Sequence, residues 1–153
     1  MITHPLHPLT VHFPIALLFT SVFFDLLGIL TGKKQFNQTG WWLLILGLVG
    51  GIVAAGFGMW TEEQVEAMGV PETAVDRHEA FALTTMAVFA ALTVIRWRIR
   101  ARWSSRDRVI YLIVAMVGLL LLGITGFYGG ELVYRYGAGV ESPAIPPPVK
   151  PES

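Results

Sequence analysis

Apolar residues run together in four long stretches of this chain, at about 12–30, 41–60, 79–97 and 109–128, with short polar segments between them. Each comes close to the ~20 residues with which a helix crosses ~30 Å of hydrocarbon. An open sheet cannot satisfy its backbone in lipid, and the alternation of barrel strands is missing, so each stretch is expected as a transmembrane helix. The pattern predicts an all-α, integral membrane four-helix up-and-down bundle over 1–140. Residues 141–153 carry Pro143, Pro146, Pro147, Pro148 and Pro151 and are expected as a polyproline-like, disordered tail.

Composition agrees with a bilayer: 54% of the residues are hydrophobic and 14% are charged, where soluble domains carry roughly 25%. Eleven basic and eleven acidic residues cancel, which argues against a nucleic-acid partner, and the absence of Cys removes disulfides and thiolate metal sites. The placement of charge is more informative than its sum. Lys33, Lys34, Arg96, Arg98, Arg100, Arg102, Arg106 and Arg108 all fall at one end, which the positive-inside rule assigns to the cytoplasm. Both termini and the acidic loop 61–77, with Glu62, Glu63, Glu66, Glu72 and Asp76, then lie outside. The opening residues lack Lys and Arg and lead into an apolar run longer than a signal-peptide core, so a retained span is expected. Trp41, Trp42, Trp60, Trp97 and Trp103 fall where interfacial aromatics belong. Gly47, Gly51 and Ala55 form a small-residue face for close helix packing.

Helix starts can be read from capping residues. Asp76-x-x-Glu79 has the form of a capping box, which makes Asp76 the N-cap and His78 the second helical residue. Thr10 can cap the first helix, with His12 second in it and Pro14 tolerated in its first turn. His4 and His7 each precede Pro, which predicts an extended segment before that cap. Glu62, Glu63 and Glu66 are expected on a short outer helix ending at Gly69 and Pro71.

All four histidines, His4, His7, His12 and His78, fall at the acidic end. At a helix N-terminus an imidazole tends toward its neutral, ligating form. His12 and His78 would start parallel helices at one depth and could hold a haem between them, with Arg77 and Arg135 for its propionates. Phe13, Phe57, Phe81, Phe127 and Tyr128 could wall it. A simple metal site at His12 and His78, or ordinary hydrogen bonding of interfacial histidines, explains the same positions. His7 reads as a supporting or alternative ligand, or as an exposed residue; Met59 reads as an axial ligand or a core filler. Asp25 is the acid within a span, expected either as a proton relay or as a structural carboxylate held by Ser21 or Thr93. His12 and His78 are 66 residues apart, each opening a hairpin, which suggests two parallel repeats.

The opening His7-Pro8-Leu9-Thr10-Val11-His12-Phe13-Pro14-Ile15-Ala16-Leu17-Leu18, with Asp25, Arg77-His78-Glu79, Gly129-Gly130-Glu131-Leu132-Val133-Tyr134 and Tyr136-Gly137-Ala138-Gly139-Val140, resembles a bacterial family of four-helix membrane proteins catalogued as a domain of unknown function. Members also occur joined to Rieske-type or c-type cytochrome modules, which implies electron transfer near the outer face of the bacterial cytoplasmic (inner) membrane. In similar members the closing motif often has a His where this chain has Tyr136; a Tyr phenolate can itself ligate ferric haem. The reading that follows is a small membrane redox protein binding haem b through its outer histidines and exchanging electrons with a partner protein or quinol. A structural subunit of a larger membrane complex is a second reading. A carrier of a divalent metal ion, held by outer His and Glu131, is a third.

Overall fold

The computed structural model describes residues 6–99 and 104–140, with side chains over 10–98 and 104–140. His4, Trp103 and the tail 141–153 lie outside the described residues. The chain forms four helices, α1 (Leu6–Thr31), α2 (Lys34–Ala67), α3 (Glu72–Ile99) and α4 (Ser105–Tyr134), and no strand among the described residues. All four are long and apolar enough to cross a membrane, over Thr10–Thr31, Lys34–Ala67, Glu72–Arg98 and Ser105–Tyr134. The architecture is the all-α four-helix membrane bundle that the apolar runs predict.

The helices outrun the apolar stretches, and the local chemistry explains where each stops. α1 begins at Leu6, so 6–9 are helical rather than extended. Pro8 falls in the first turn, where a backbone N–H has no intrahelical partner to lose. Thr10 is therefore an interior residue and not a cap. α3 likewise starts at Glu72, directly after Pro71, so Asp76 caps nothing and His78 sits in the second turn. The acidic segment 62–67 continues α2 instead of forming a separate helix. α2 ends where Gly69 adopts a φ of +87° and donates its N–H to the Glu66 carbonyl at 2.8 Å. The connection from α1 to α2 is Gly32-Lys33 alone, with Gly32 at a φ of +70°. α4 opens on a capping box that the sequence reading missed: Asp107 N–H donates to Ser104 Oγ, and Ser104 N–H to Asp107 Oδ2, each at 3.1 Å. It closes at Gly137, φ +71°, where Gly137 and Ala138 N–H return to the Val133 and Leu132 carbonyls. Tyr136 belongs to that closing turn.

Small residues let the helices approach. A Cβ added at Gly47 would stand 2.8 Å from Leu18 of α1, and one at Gly51 2.5 Å from Met86 Sδ of α3. A Cβ at Gly118 of α4 would meet Phe89 of α3 at 3.1 Å. Lipid tails are as apolar as these side chains, so such close approach is what holds the helices together.

Buried positions in the two hairpins correspond at an offset of 71 residues, the separation of Asp25 and Arg96. Pro14 and Thr85, Leu18 and Phe89, Ser21 and Leu92, Asp25 and Arg96, Gly40 and Tyr111, Leu44 and Ala115, and Gly47 and Gly118 are all buried. The Leu18–Gly47 contact in α1–α2 recurs as Phe89–Gly118 in α3–α4. Burial therefore recurs at 71 residues, a register that differs from the 66 residues obtained by aligning His12 with His78. The hydrophobic core of Leu18, Val22, Leu44, Phe89, Leu92, Tyr111 and Ala115 fills the half of the bundle nearer the basic loops. From 119 to 140, along α4 and the turn that follows it, no residue is buried.

Candidate functional site

Polar groups gather at two levels of the bundle. The lower level, toward the basic loops, centres on Asp25 of α1, which is fully buried. Its Oδ2 accepts from Arg96 Nη1 of α3 and from the Tyr111 hydroxyl of α4 at 2.6 Å. Arg96 also donates to Tyr111 Oη at 3.0 Å and, through Nη2, to the Asn37 carbonyl of α2. Its guanidinium carbon lies 5.8 Å from the Trp41 ring centroid and 5.5 Å from that of Tyr111. Every helix thus contributes to one ion pair. Asp25 Oδ1 is turned toward Gly40, where any side chain would collide with it. Neither Oδ1 nor Ser21 Oγ has a hydrogen-bond partner among the described residues.

The expected partners of Asp25 are replaced by these. Ser21 makes no hydrogen bond to it, and Thr93 Oγ1 donates to the Phe89 carbonyl at 2.8 Å instead. Arg96 belongs to the bundle interior, 4% exposed, and not to the basic loop. A carboxylate and a guanidinium that each cost roughly 2.5–3.5 kcal/mol at mid-span on insertion scales are thereby neutralised by one another. The signal was present in the sequence, since Arg96 stands inside the third apolar run.

The upper level, at the acidic end, centres on His78 of α3. Its Nδ1 lies 3.2 Å from the Thr125 carbonyl of α4. A carbonyl only accepts, so Nδ1–H is the donor in this contact. The ring packs on Gly129, where a Cβ would meet Cε1 at 3.1 Å. Below it the Thr85 and Thr125 hydroxyls share a 2.9 Å hydrogen bond. Beside it, Tyr128 stacks on Phe81 at 5.1 Å, meets Phe127 edge-on at 5.5 Å, and carries the Arg77 guanidinium 5.5 Å from its centroid.

The remaining candidates are dispersed. His12 is exposed on α1, thirteen residues from Asp25, which at about 3.6 residues per turn puts it on the opposite side of that helix. Phe13 and Phe127 are 61% and 70% exposed and so do not line an interior. Phe57 packs with Trp60 at 6.5 Å. Arg135 pairs with Glu131 at 2.6 Å and lies over Tyr136 at 5.4 Å. The Glu131 hydrogen bond holds the Arg135 guanidinium above its ordinary pKa. Met59 lines a pocket of about 100 Å³ together with Glu62, His78, Glu79 and Leu132. Glu62, Asp76 and Glu79 bring carboxylate oxygens within 4.8 Å of one another. Glu131, the acid expected to join a metal site, is engaged by Arg135 instead.

Four apolar helices closed by a buried ion pair, with imidazole and carboxylates gathered at one end, define a multi-pass membrane protein. Residues 3–142 match the family described as predicted membrane protein (DUF2231), and the chain belongs to that family. No curated protein and no solved structure matches the chain.

Proposed function

We propose that this chain is a small membrane redox protein that holds haem b at its acidic end, with His78 as an axial ligand. It would exchange electrons with a partner protein or quinol at the outer face of a bacterial inner membrane. The observation that carries the reading is the His78–Thr125 contact. Metal-ligating histidines characteristically donate their second ring N–H to a carbonyl or carboxylate, which fixes the tautomer and the ring plane. His78 Nδ1 stands 3.2 Å from such a carbonyl.

The residues fit the group by donor chemistry. Gly129 leaves the ring room against α4, and the largest buried cluster lies in the other half of the bundle. The pocket of about 100 Å³ beside His78, between α2 and the second hairpin, is smaller than the 300–1,000 Å³ typical of ligand sites, so a porphyrin would have to part the hairpins there. Bound haem supplies one-electron chemistry at a potential set by its ligands and burial. The chain's own residues would do the rest. Thr125 orients His78, the Phe81–Tyr128 stack excludes water, and Arg77 at the rim suits a propionate. The bundle's basic end, closed by Asp25 and Arg96, serves as a rigid base.

Adding hemin to purified protein should produce a Soret band that is lost in His78→Ala. A wild type that stays colourless would remove the reading. One observation favours a different ligand: Glu62 and Glu79, two of the clustered carboxylates, line the same pocket as His78 and suit a divalent cation. Elemental analysis of a colourless sample would separate that case from a structural subunit without a cofactor.

A further inference from the structure

We infer that the second haem ligand is His7, and that His7 and His78 form a pseudo-two-fold pair gripping one iron between α1 and α3. The inference rests on the haem reading above and assigns the residue that completes it. It comes from the register of the helices.

Asp25 and Arg96 meet in the bundle interior, so their positions mark the inward faces of α1 and α3. His78 precedes Arg96 by eighteen residues. At about 3.6 residues per turn this is five whole turns, which returns His78 to the same face about 27 Å nearer the acidic end. The structure bears this out, because Gly129 of α4 stands eighteen residues after Tyr111 and lies against His78, as Tyr111 lies against Arg96. His7 precedes Asp25 by the same eighteen residues, on a helix that runs unbroken from Leu6. Its position is therefore on the inward face of α1 at the level of His78. Pro14 and Leu18, eleven and seven residues before Asp25, are buried along that stripe.

The internal repeat leads to the same place. An offset of 71 residues that pairs Asp25 with Arg96, and the Leu18–Gly47 contact with Phe89–Gly118, also pairs His7 with His78 and Gly58 with Gly129. Gly58 lines the pocket beside His78. The same offset maps His12 onto Leu83, which is 50% exposed. Two histidine positions at equal depth on diagonal helices, each with a glycine at the equivalent position of its hairpin, suit a ligand placed on the repeat axis.

The test is the spin state of the ferric haem in full-length protein loaded with hemin. Wild type should be six-coordinate and low-spin. His7→Ala and His78→Ala should each turn five-coordinate and high-spin and regain the low-spin spectrum with added imidazole, while His12→Ala stays low-spin. A low-spin His7→Ala, or a high-spin His12→Ala, overturns the inference and leaves the haem reading standing. A wild type that takes up no hemin overturns both. Register can also be read without haem, because the chain has no Cys. A short bis-maleimide should join H7C to H78C within one chain and fail to join H12C to H78C; the reverse result overturns the pairing.

Discussion

Asp25 and Arg96, 71 residues apart in the chain, form a buried ion pair in which the carboxylate is fully covered and the guanidinium almost so. Truncating one partner leaves the other as an uncompensated charge in a span, which costs ~3–5 kcal/mol for buried pairs. Asp25→Ala and Arg96→Ala should each lower resistance to SDS unfolding by about that amount. The D25L/R96L double variant should recover most of the loss. A double variant as unstable as the sum of the two would mean that the pair does more than cancel its own desolvation.

Tyr111 donates its hydroxyl proton to Asp25 and accepts from Arg96. Tyr111→Phe removes two hydrogen bonds to charged groups, each worth roughly 1.5–3 kcal/mol, without opening a cavity. Asp25 and Arg96 keep each other as partners, so the same unfolding titration should show a net loss of about one such bond, ~1.5–3 kcal/mol, smaller than for Asp25→Ala.

Gly40 and Gly56 lie on one helix and make opposite predictions. A methyl group at Gly40 would strike Asp25 and the Ser21 carbonyl, whereas one at Gly56 meets nothing within 4 Å. Overpacking costs typically ~1–3 kcal/mol, so Gly40→Ala should be destabilised by that much. Gly56→Ala should stay within about 0.5 kcal/mol of wild type.

The sequence was legible where one physical cause dominated. Four apolar runs in lipid leave only helices, and the small residues of α2 had to face a neighbour. Helix starts were misread at Thr10 and Asp76 because capping is a local preference, and Pro8 and Pro71 permit an earlier start. Those shifts are small in length but matter, because a start at Leu6 brings position 7 into the helical register of α1. Arg96 was assigned to the basic loop on charge alone, although its place inside an apolar run already called for an anion. His78 stood out as a candidate, while its orienting partner, the Thr125 carbonyl, is a backbone atom that no side-chain pattern announces.

The basic loops predict a sidedness, and the lack of Cys makes it directly measurable. In intact cells a membrane-impermeant thiol reagent should label Glu72→Cys, while Lys34→Cys should react only after permeabilisation. The opposite pattern would place the histidines on the cytoplasmic side.

The central claim is that the acidic end holds a haem, and the haem content of purified protein tests it most directly. Chain expressed with ample haem precursor and assayed as the pyridine haemochrome should contain haem b in a fixed proportion to protein, lost in His78→Ala and retained in His12→Ala. Wild-type protein that is folded, monodisperse and free of haem would contradict it.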